Sequence, residues 1–169
     1  TFLTLVGLYL IKQQIMKTLN KTSVLLVEDD VDMRNTISEN LKAVDYKVYT
    51  TKKSTEGLEL FKKFDIDICV IDVELTGIDG FALSAQIRIL NPDMPIIFLI
   101  PKGLHYNMLR DLEYGVDDYI TKPFSNDELL LRIKAVLRRV EKNDPFTYSL
   151  GDSKIPIGRF IFDAKNMLL

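Results

Sequence analysis

A regular alternation of short apolar runs with segments of helical spacing, beginning at residue 22, constrains this fold more than any other feature. The apolar runs have the length of strands, and those at 66–71 and 95–100 are almost continuously hydrophobic, as strands buried on both faces are. The predicted strands lie at 23–27, 46–49, 66–71, 95–100 and 118–120. Strands that alternate with helices form parallel sheets covered on both sides, so we expect an α/β fold with a doubly wound sheet of five strands.

Five helices are expected, because apolar residues recur every three or four positions after each predicted strand. The predicted helical segments lie at 33–44, 58–64, 81–90, 104–114 and from Ser125 onward. The third should end at Asn91, because a residue that precedes proline disfavours the helical conformation. The last is signalled best, since Ser125 and Glu128 have the spacing of a capping box ahead of an apolar stripe.

The composition of the chain changes after the last predicted helix. Residues 143–147 have the charge and the proline of a linker, and 148–169 contain strand-like runs interrupted by Gly151 and Gly158. We therefore predict one domain at 22–142 and the truncated start of a second domain at 148–169.

Residues 1–21 are predicted to be an N-terminal extension of uncertain origin. Its apolar stretch, 2–11, is shorter than the roughly 20 residues that span a bilayer, and it lacks the features of a signal peptide. The favoured interpretation is that Met16 is the true start and that 1–15 are upstream read-through; the end of a membrane helix is the alternative.

Charge and cysteine content restrict the function classes. The chain has 22 basic and 24 acidic residues, a formal net charge of −2, so no overall basic field indicates nucleic acid binding. Its single cysteine, Cys69, cannot form an internal disulfide and is expected to be a small core residue. A reducing, cytoplasmic compartment fits this composition best.

Acidic residues and one lysine follow three of the predicted strands. Glu28 and Asp29 follow the first, Asp72 ends the third, and Lys122 follows the fifth. Ligands of doubly wound sheets bind beyond the carboxyl ends of the strands, so these side chains should converge. Clustered carboxylates attract a hard cation such as Mg²⁺, a lysine can hold a phosphoryl oxygen, and an aspartate can act as nucleophile. The pattern favours phosphoryl transfer onto a carboxylate.

Three runs resemble the receiver domains of two-component response regulators. They lie at 24–30, 69–80 and 117–124, in the family's order and spacing, and the resemblance covers about 22–142. It implies a flavodoxin-like, CheY-like fold and a signalling role, with at most Mg²⁺-dependent self-phosphorylation and self-dephosphorylation. The segment 157–163 resembles the opening strands of the OmpR/PhoB-type winged-helix DNA-binding domain.

The resemblance also implies roles for particular residues. Asp72 would accept the phosphoryl group, Lys122 would pair with it, and Tyr119 would be the aromatic switch residue. The implied Mg²⁺ ligands are Glu28 (through water), Asp29, Asp72 and the main-chain carbonyl of Glu74. The implied partners are a sensor histidine kinase, DNA bound through the missing C-terminal portion, and a second copy of the chain through helix four, strand five and helix five, with no membrane contact by the receiver.

Two adjacent residues depart from the family pattern. Ile100 stands where receivers carry a serine or threonine, and Pro101 stands where a main-chain N–H normally binds a phosphoryl oxygen. A smaller departure is Thr76, where the family often has proline. Phosphorylation is therefore expected to couple weakly to output. The main alternative is a pseudo-receiver regulated by partner contact or dimerisation; an aspartyl-phosphate hydrolase is disfavoured because no segment is long enough for a substrate-covering cap.

Other polar residues are expected to have structural roles and no part in the chemistry of the site. Asp30 is expected to cap the first helix. Asp79, Asp117 and Asp118 are expected to be turn residues, and His105 to be a surface residue.

Overall fold

The computed structural model describes residues 21–77, 79–103 and 117–140, and the backbone of 141–143, 154–157 and 160–163. Residues 1–20 of the predicted N-terminal extension, the helix predicted at 104–114 and His105 lie outside the described residues.

The main sheet has five parallel strands in the order β2-β1-β3-β4-β5. Every residue of β1, β3 and β4 is buried, as was predicted for the third and fourth strands. β2, at an edge, has exposed positions. The strands are β1 (Ser23–Val27), β2 (Lys47–Thr51), β3 (Ile68–Asp72), β4 (Ile96–Ile100) and β5 (Asp118–Thr121). This order is the flavodoxin-like one, and it reverses between β1 and β3, which places a ligand-binding crevice there. The predicted doubly wound α/β fold is confirmed.

Four helices lie within the described residues. They are α1 (Val31–Ala43), α2 (Ser54–Lys63), α3 (Gly80–Leu90) and α4 (Asn126–Asn143), the last being the helix predicted from Ser125 onward. Val44, predicted to lie in the first helical stripe, is instead its C-cap and is 41% exposed.

Side-chain caps begin three of these helices. Asp30 Oδ1 accepts from the Met33 N–H at 2.8 Å, so its predicted capping role is confirmed. Asp79, predicted to be a turn residue, caps α3 by accepting from the Ala82 N–H at 2.7 Å. Ser125 Oγ accepts from the Glu128 N–H at 3.1 Å, which is one half of the predicted capping box. These caps fix where each loop at the sheet edge meets its helix.

The core consists of two layers, one on each face of the sheet. Alternate residues of β1, β3 and β4 pack with α2 and α3 on one face and with α1 and α4 on the other. Cys69 lies in the first layer, fully buried, and burial raises the pKa of its thiol. Its predicted place in the core is confirmed.

A separate antiparallel pair follows the receiver-like part of the chain. β6 (Lys154–Ile157) pairs with β7 (Phe160–Asp163), with Lys154 opposite Asp163. The two strands confirm the strand-like character predicted for this segment, whereas its membership of a second domain stays a prediction. Across the residues that the structure describes, no helix combines the length and apolar character needed to cross a bilayer.

Candidate functional site

The carboxyl ends of β1, β3 and β5 bring the predicted site residues together. Glu28 directly follows β1, Asp72 is the last residue of β3, and Lys122 directly follows β5. Glu28 is fully buried and Asp72 is 2% exposed, which is unusual for carboxylates unless a partner is present. The predicted convergence of these three strand ends is therefore confirmed.

Lys122 bridges the two buried carboxylates. Its Nζ lies 2.8 Å from Asp72 Oδ2 and 2.9 Å from Glu28 Oε2. Burial disfavours the charged ammonium group, but the hydrogen bond to Asp72 and the adjacent Glu28 carboxylate outweigh that effect and raise the pKa of Lys122. The lysine therefore stays protonated, as a group that holds a phosphoryl oxygen must.

The two carboxylate oxygens of Glu28 differ in their hydrogen bonding. Oε1 accepts from the Asp30 N–H at 3.1 Å, whereas Oε2 is buried, lies next to the Lys122 ammonium, and receives no well-aligned hydrogen bond. Burial raises the pKa of Glu28, Asp72 raises it further, and Lys122 opposes both effects. A buried carboxylate oxygen with an open lone pair is a good acceptor for a metal ion or for water bound to one.

The acidic cluster fits a hard divalent cation. One oxygen from each of Glu28, Asp29 and Asp72 lies within 4.8 Å of the other two. The cluster combines three carboxylates with the one ammonium group of Lys122, so it carries excess negative charge that Mg²⁺ would neutralise with one or two carboxylates and waters. The residues present therefore fit the predicted ion.

Glu74 contacts Asp72 through its backbone. The Glu74 N–H donates to Asp72 Oδ1 at 3.2 Å, so one oxygen of the predicted acceptor faces a main-chain donor and the other faces Lys122. The Glu74 side chain is exposed. Its predicted carbonyl contact with Mg²⁺ stays a prediction.

Two polar side chains that sequence reasoning missed also hold the β1–α1 turn. Arg34 Nη1 donates to the carbonyl oxygens of Glu28 at 2.6 Å and of Asp29 at 3.3 Å. The Thr76 hydroxyl donates to Asp29 Oδ2 at 2.8 Å. The sequence indicated the Arg34 contact only through the position of Arg34, one turn into the helix that Asp30 caps. It contained no indication of the Thr76 contact.

Gly80 is a third residue with an unpredicted role. A Cβ atom there would lie 2.0 Å from the Asp72 carbonyl oxygen and 2.9 Å from Ile71 Cγ2. The Gly80 N–H donates to the Val73 carbonyl at 3.2 Å. Glycine thus allows the start of α3 to pack directly on the strand end that carries Asp72.

Of the two residues that depart from the family pattern, Ile100 belongs to the apolar core and Pro101 is half-buried. Ile100 is 3% exposed and lies in the apolar cluster against which Tyr119 packs. Its carbonyl accepts from the Lys122 N–H at 2.8 Å, which ties the end of β4 to the site. Neither the Ile100 side chain nor the Pro101 nitrogen offers a hydrogen-bond donor to the site.

Asp117 and Asp118, predicted to be turn residues, each form an ion pair with an arginine. Asp117 Oδ2 accepts from Arg88 Nη2 at 2.7 Å and from the Ile96 N–H at 2.9 Å. Asp118 is the first residue of β5 and pairs with Arg132 at 3.1 Å. The cluster of candidate metal ligands found among the described residues consists of Glu28, Asp29 and Asp72 and includes neither of them.

The sequence matches a known family over most of the described domain. The family model for the response regulator receiver domain matches residues 24–134. This chain belongs to the response regulator receiver family. Receiver domains are signalling modules of two-component systems that interact with histidine kinases and bind Mg²⁺ at an acidic pocket, here formed by Glu28, Asp29 and Asp72.

Curated relatives and a solved structure agree with this assignment. The chain is 39% identical over 151 residues to the transcriptional regulatory protein RprY of Bacteroides fragilis, covering 88% of this chain and 61% of RprY. It is 36% identical over 129 residues to the cell cycle response regulator CtrA of Brucella ovis, covering 76% of this chain and 56% of CtrA. The chain thus spans less than two thirds of the length of these relatives. A CheY-like receiver domain protein from Methanospirillum hungatei superposes with a TM-score of 0.68 at 27% identity, covering 73% of this chain and 98% of that one.

Proposed function

We propose that this chain is the receiver part of a response regulator that accepts a phosphoryl group on Asp72 from a sensor histidine kinase and thereby controls DNA binding and transcription. The observation that carries the proposal is the buried Asp72 carboxylate, 2.8 Å from the Lys122 ammonium and within 4.8 Å of oxygens of Glu28 and Asp29. That arrangement joins a nucleophile, a cation for the phosphoryl group and a set of oxygen ligands at one strand edge.

The residues have distinct parts in the transfer. An oxygen of Asp72 forms a bond to phosphorus as the bond from phosphorus to the kinase histidine nitrogen breaks, and that nitrogen leaves with the electron pair. Lys122 is placed to bind a phosphoryl oxygen as a point charge. Mg²⁺, held by Asp29, Asp72 and the Glu74 carbonyl with Glu28 acting through water, would supply charge neutralisation to the transferring group. The Glu74 N–H and Lys122 hold Asp72 in place.

Phosphorylation is proposed to couple weakly to output. Because Ile100 packs in the core and Pro101 lacks an N–H, two donors that receivers direct at the phosphoryl group are missing. Hydrogen bonds to charged groups contribute about 1.5–3 kcal/mol each, and a switch shifts only by the differential affinity of its two states for the modification. Losing both donors removes most of a bias of a few kcal/mol. This same observation favours the second candidate, a pseudo-receiver regulated by partner contact or dimerisation.

Phosphorylation separates the two candidates. Incubation with acetyl phosphate and Mg²⁺, followed by intact-mass measurement, should give a phosphoryl adduct on the wild type and none on Asp72→Asn. No adduct on folded protein that binds Mg²⁺ would refute phosphoryl acceptance and support the pseudo-receiver.

A second experiment tests coupling. Adding beryllofluoride, a phosphoryl mimic, should shift NMR resonances around Asp72 strongly and those of Tyr119 weakly. In Ile100→Thr combined with Pro101→Ala, which restores both donors, the Tyr119 shift should grow. A large Tyr119 shift in the wild type would contradict weak coupling.

The output domain and assembly complete the proposal. The receiver would occupy 22–142, with a linker at 143–147 and a winged-helix effector domain beginning at 148; the antiparallel β6–β7 pair supports a change of architecture there. Dimerisation would use the helix predicted at 104–114 together with β5 and α4, and the protein would act in the cytoplasm. DNA binding by a longer chain that continues beyond 169, measured with and without phosphorylation, tests the output.

A further inference from the structure

The β3–α3 loop is joined to the acidic cluster by one side-chain hydrogen bond. Thr76 Oγ1 donates to Asp29 Oδ2 at 2.8 Å, linking residues 47 positions apart in the sequence. Thr76 is exposed and lies four positions beyond Asp72, and Gly77 directly after it has a φ of +102°. A positive φ is accessible to glycine at little cost, so the chain can turn there immediately after presenting the hydroxyl.

Asp29 needs a hydrogen-bond donor because the one ammonium group of the cluster pairs with the other two carboxylates. The Lys122 ammonium lies within 3 Å of both Glu28 and Asp72. Asp29, in contrast, forms no ion pair with any residue that the structure describes, although one of its oxygens lies within 4.8 Å of oxygens of both other carboxylates. Repulsion from those two carboxylates favours side-chain rotamers of Asp29 that point away from the cluster. A donor on Asp29 Oδ2 opposes that movement.

We propose that Thr76 is a positioning residue for Mg²⁺, whose hydroxyl holds the Asp29 carboxylate in the orientation that binds the ion. This inference rests on the Mg²⁺ site of the proposed function, but it concerns a residue that stands where receivers often have proline, which has no side-chain donor. The hydroxyl reduces the entropy cost of metal binding, because the Asp29 side chain is already held in one rotamer before the metal binds. Partners that orient metal ligands commonly affect metal affinity by an order of magnitude or more when removed.

The same contact links metal binding to the loop that follows the acceptor. Asp72 begins the segment from β3 to α3, Thr76 lies within it, and Gly80 ends it against the Asp72 carbonyl. When Asp29 binds Mg²⁺, Thr76 is held through the same carboxylate. Metal binding should therefore restrict the motion of the loop as well as complete the site.

The test compares Mg²⁺ affinity across a matched set of variants. Thr76→Val removes the hydroxyl but keeps the side-chain shape, Thr76→Ser keeps the hydroxyl, and Thr36→Val makes the same change on an exposed face of α1. Mg²⁺ titration by calorimetry should show affinity weakened about three- to tenfold in Thr76→Val, since an exposed donor falls at the low end of such effects. Thr76→Ser and Thr36→Val should bind as the wild type does. Urea denaturation without metal should give similar midpoints for all four proteins.

A structural readout accompanies the affinities. The Asp29 side-chain carboxyl resonance of the metal-free protein should move in Thr76→Val and stay in Thr76→Ser. If the wild type binds Mg²⁺ and Thr76→Val binds equally or more tightly, the positioning role is wrong while the proposed Mg²⁺ site stands. If the folded wild type binds no Mg²⁺, the site itself fails and the inference fails with it.

Discussion

Replacing Gly80 with alanine should disturb both the stability of the domain and the acceptor site. The added Cβ would lie 2.0 Å from the Asp72 carbonyl oxygen, a separation that real Cβ atoms do not show. The clash involves the backbone of the buried strand β3, so side-chain movement cannot relieve it. The start of α3 must move away from the strand end until the separation grows from 2.0 Å to at least 3.4 Å, the lower limit of ordinary contact.

The expected change in the free energy of unfolding of Gly80→Ala is the sum of opposing effects. Overpacking of this kind costs about 1–3 kcal/mol, and disturbing the Asp79 cap of α3 costs about 1 kcal/mol more. Alanine returns up to about 1 kcal/mol through helix propensity and a less flexible unfolded chain. We expect a net loss of about 1–3 kcal/mol in the free energy of unfolding. With urea m-values of about 1–3 kcal/mol per M for small domains, the denaturation midpoint should fall by about 1 M.

Gly57 provides a matched control for this prediction. The three atoms nearest to a Cβ there belong to side chains and lie at 3.1 Å (Val27 Cγ2), 3.4 Å (Leu83 Cδ2) and 3.6 Å (Thr51 Cγ2). Urea denaturation of Gly57→Ala should therefore show a change below about 1 kcal/mol, because small side-chain shifts absorb the contact. If Gly80→Ala is as stable as Gly57→Ala and reacts equally well with acetyl phosphate, the close packing of α3 on Asp72 does not constrain the site.

Three further substitutions test ionic and hydrogen-bonded contacts. Lys122→Met leaves two buried carboxylates without their counter-ion, so the metal-free domain should lose about 3 kcal/mol in urea denaturation, and millimolar Mg²⁺ should recover part of it. Asp117→Ala removes the acceptor for Arg88 and a backbone N–H, which should cost about 1–3 kcal/mol by the same assay. The Thr51 hydroxyl holds the pKa of Glu56 below its usual value, so an NMR titration should show that pKa rise in Thr51→Val. A carboxyl group whose pKa is lowered by folding stabilises the folded state at pH values above its unfolded pKa. That stabilisation is lost as the pH falls through the folded pKa. Acidification should therefore destabilise the wild type more than Thr51→Val.

Each of these expectations has a result that contradicts it. An unchanged stability of metal-free Lys122→Met would show that the ammonium group does not compensate the buried carboxylates. An Asp117→Ala midpoint equal to that of the wild type would mean that solvent replaces the lost acceptor. A Glu56 pKa that does not respond to Thr51→Val would assign its lowering to the nearby lysines instead.

Elements buried on both faces were predictable because burial leaves a continuous apolar run. β1 was predicted at its observed bounds, since an apolar run between Ser23 and Val27 ends in acids. β2 lies one to two residues later than predicted, because an edge strand with exposed positions has no such boundary. Val44 was wrongly included in a helical stripe, since spacing alone cannot distinguish the last helical residue from the cap that follows it.

The site was predictable where strand ends determine it and unpredictable where loop geometry does. Glu28, Asp72 and Lys122 meet because parallel strands deliver their carboxyl ends to one edge. The bond from Thr76 to Asp29 depends on the path of a loop, and no local pattern in the sequence encodes it. The need for glycine at 80 arises from a contact with the backbone at the end of the preceding strand, which becomes visible only in three dimensions.

Because the chain's single thiol is buried, the rate at which it is chemically labelled reports how often the domain opens. Cys69 lies in β3, between β1 and β4, and burial raises the pKa of its thiol, so alkylating reagents find neither access nor thiolate in the native state. Labelling must wait until the centre of the sheet separates, and its rate therefore follows the population of opened molecules. A maleimide or disulfide reagent can thus measure whether added Mg²⁺ or acetyl phosphate changes the rate of that opening. A second cysteine placed on the surface would react selectively in the folded protein.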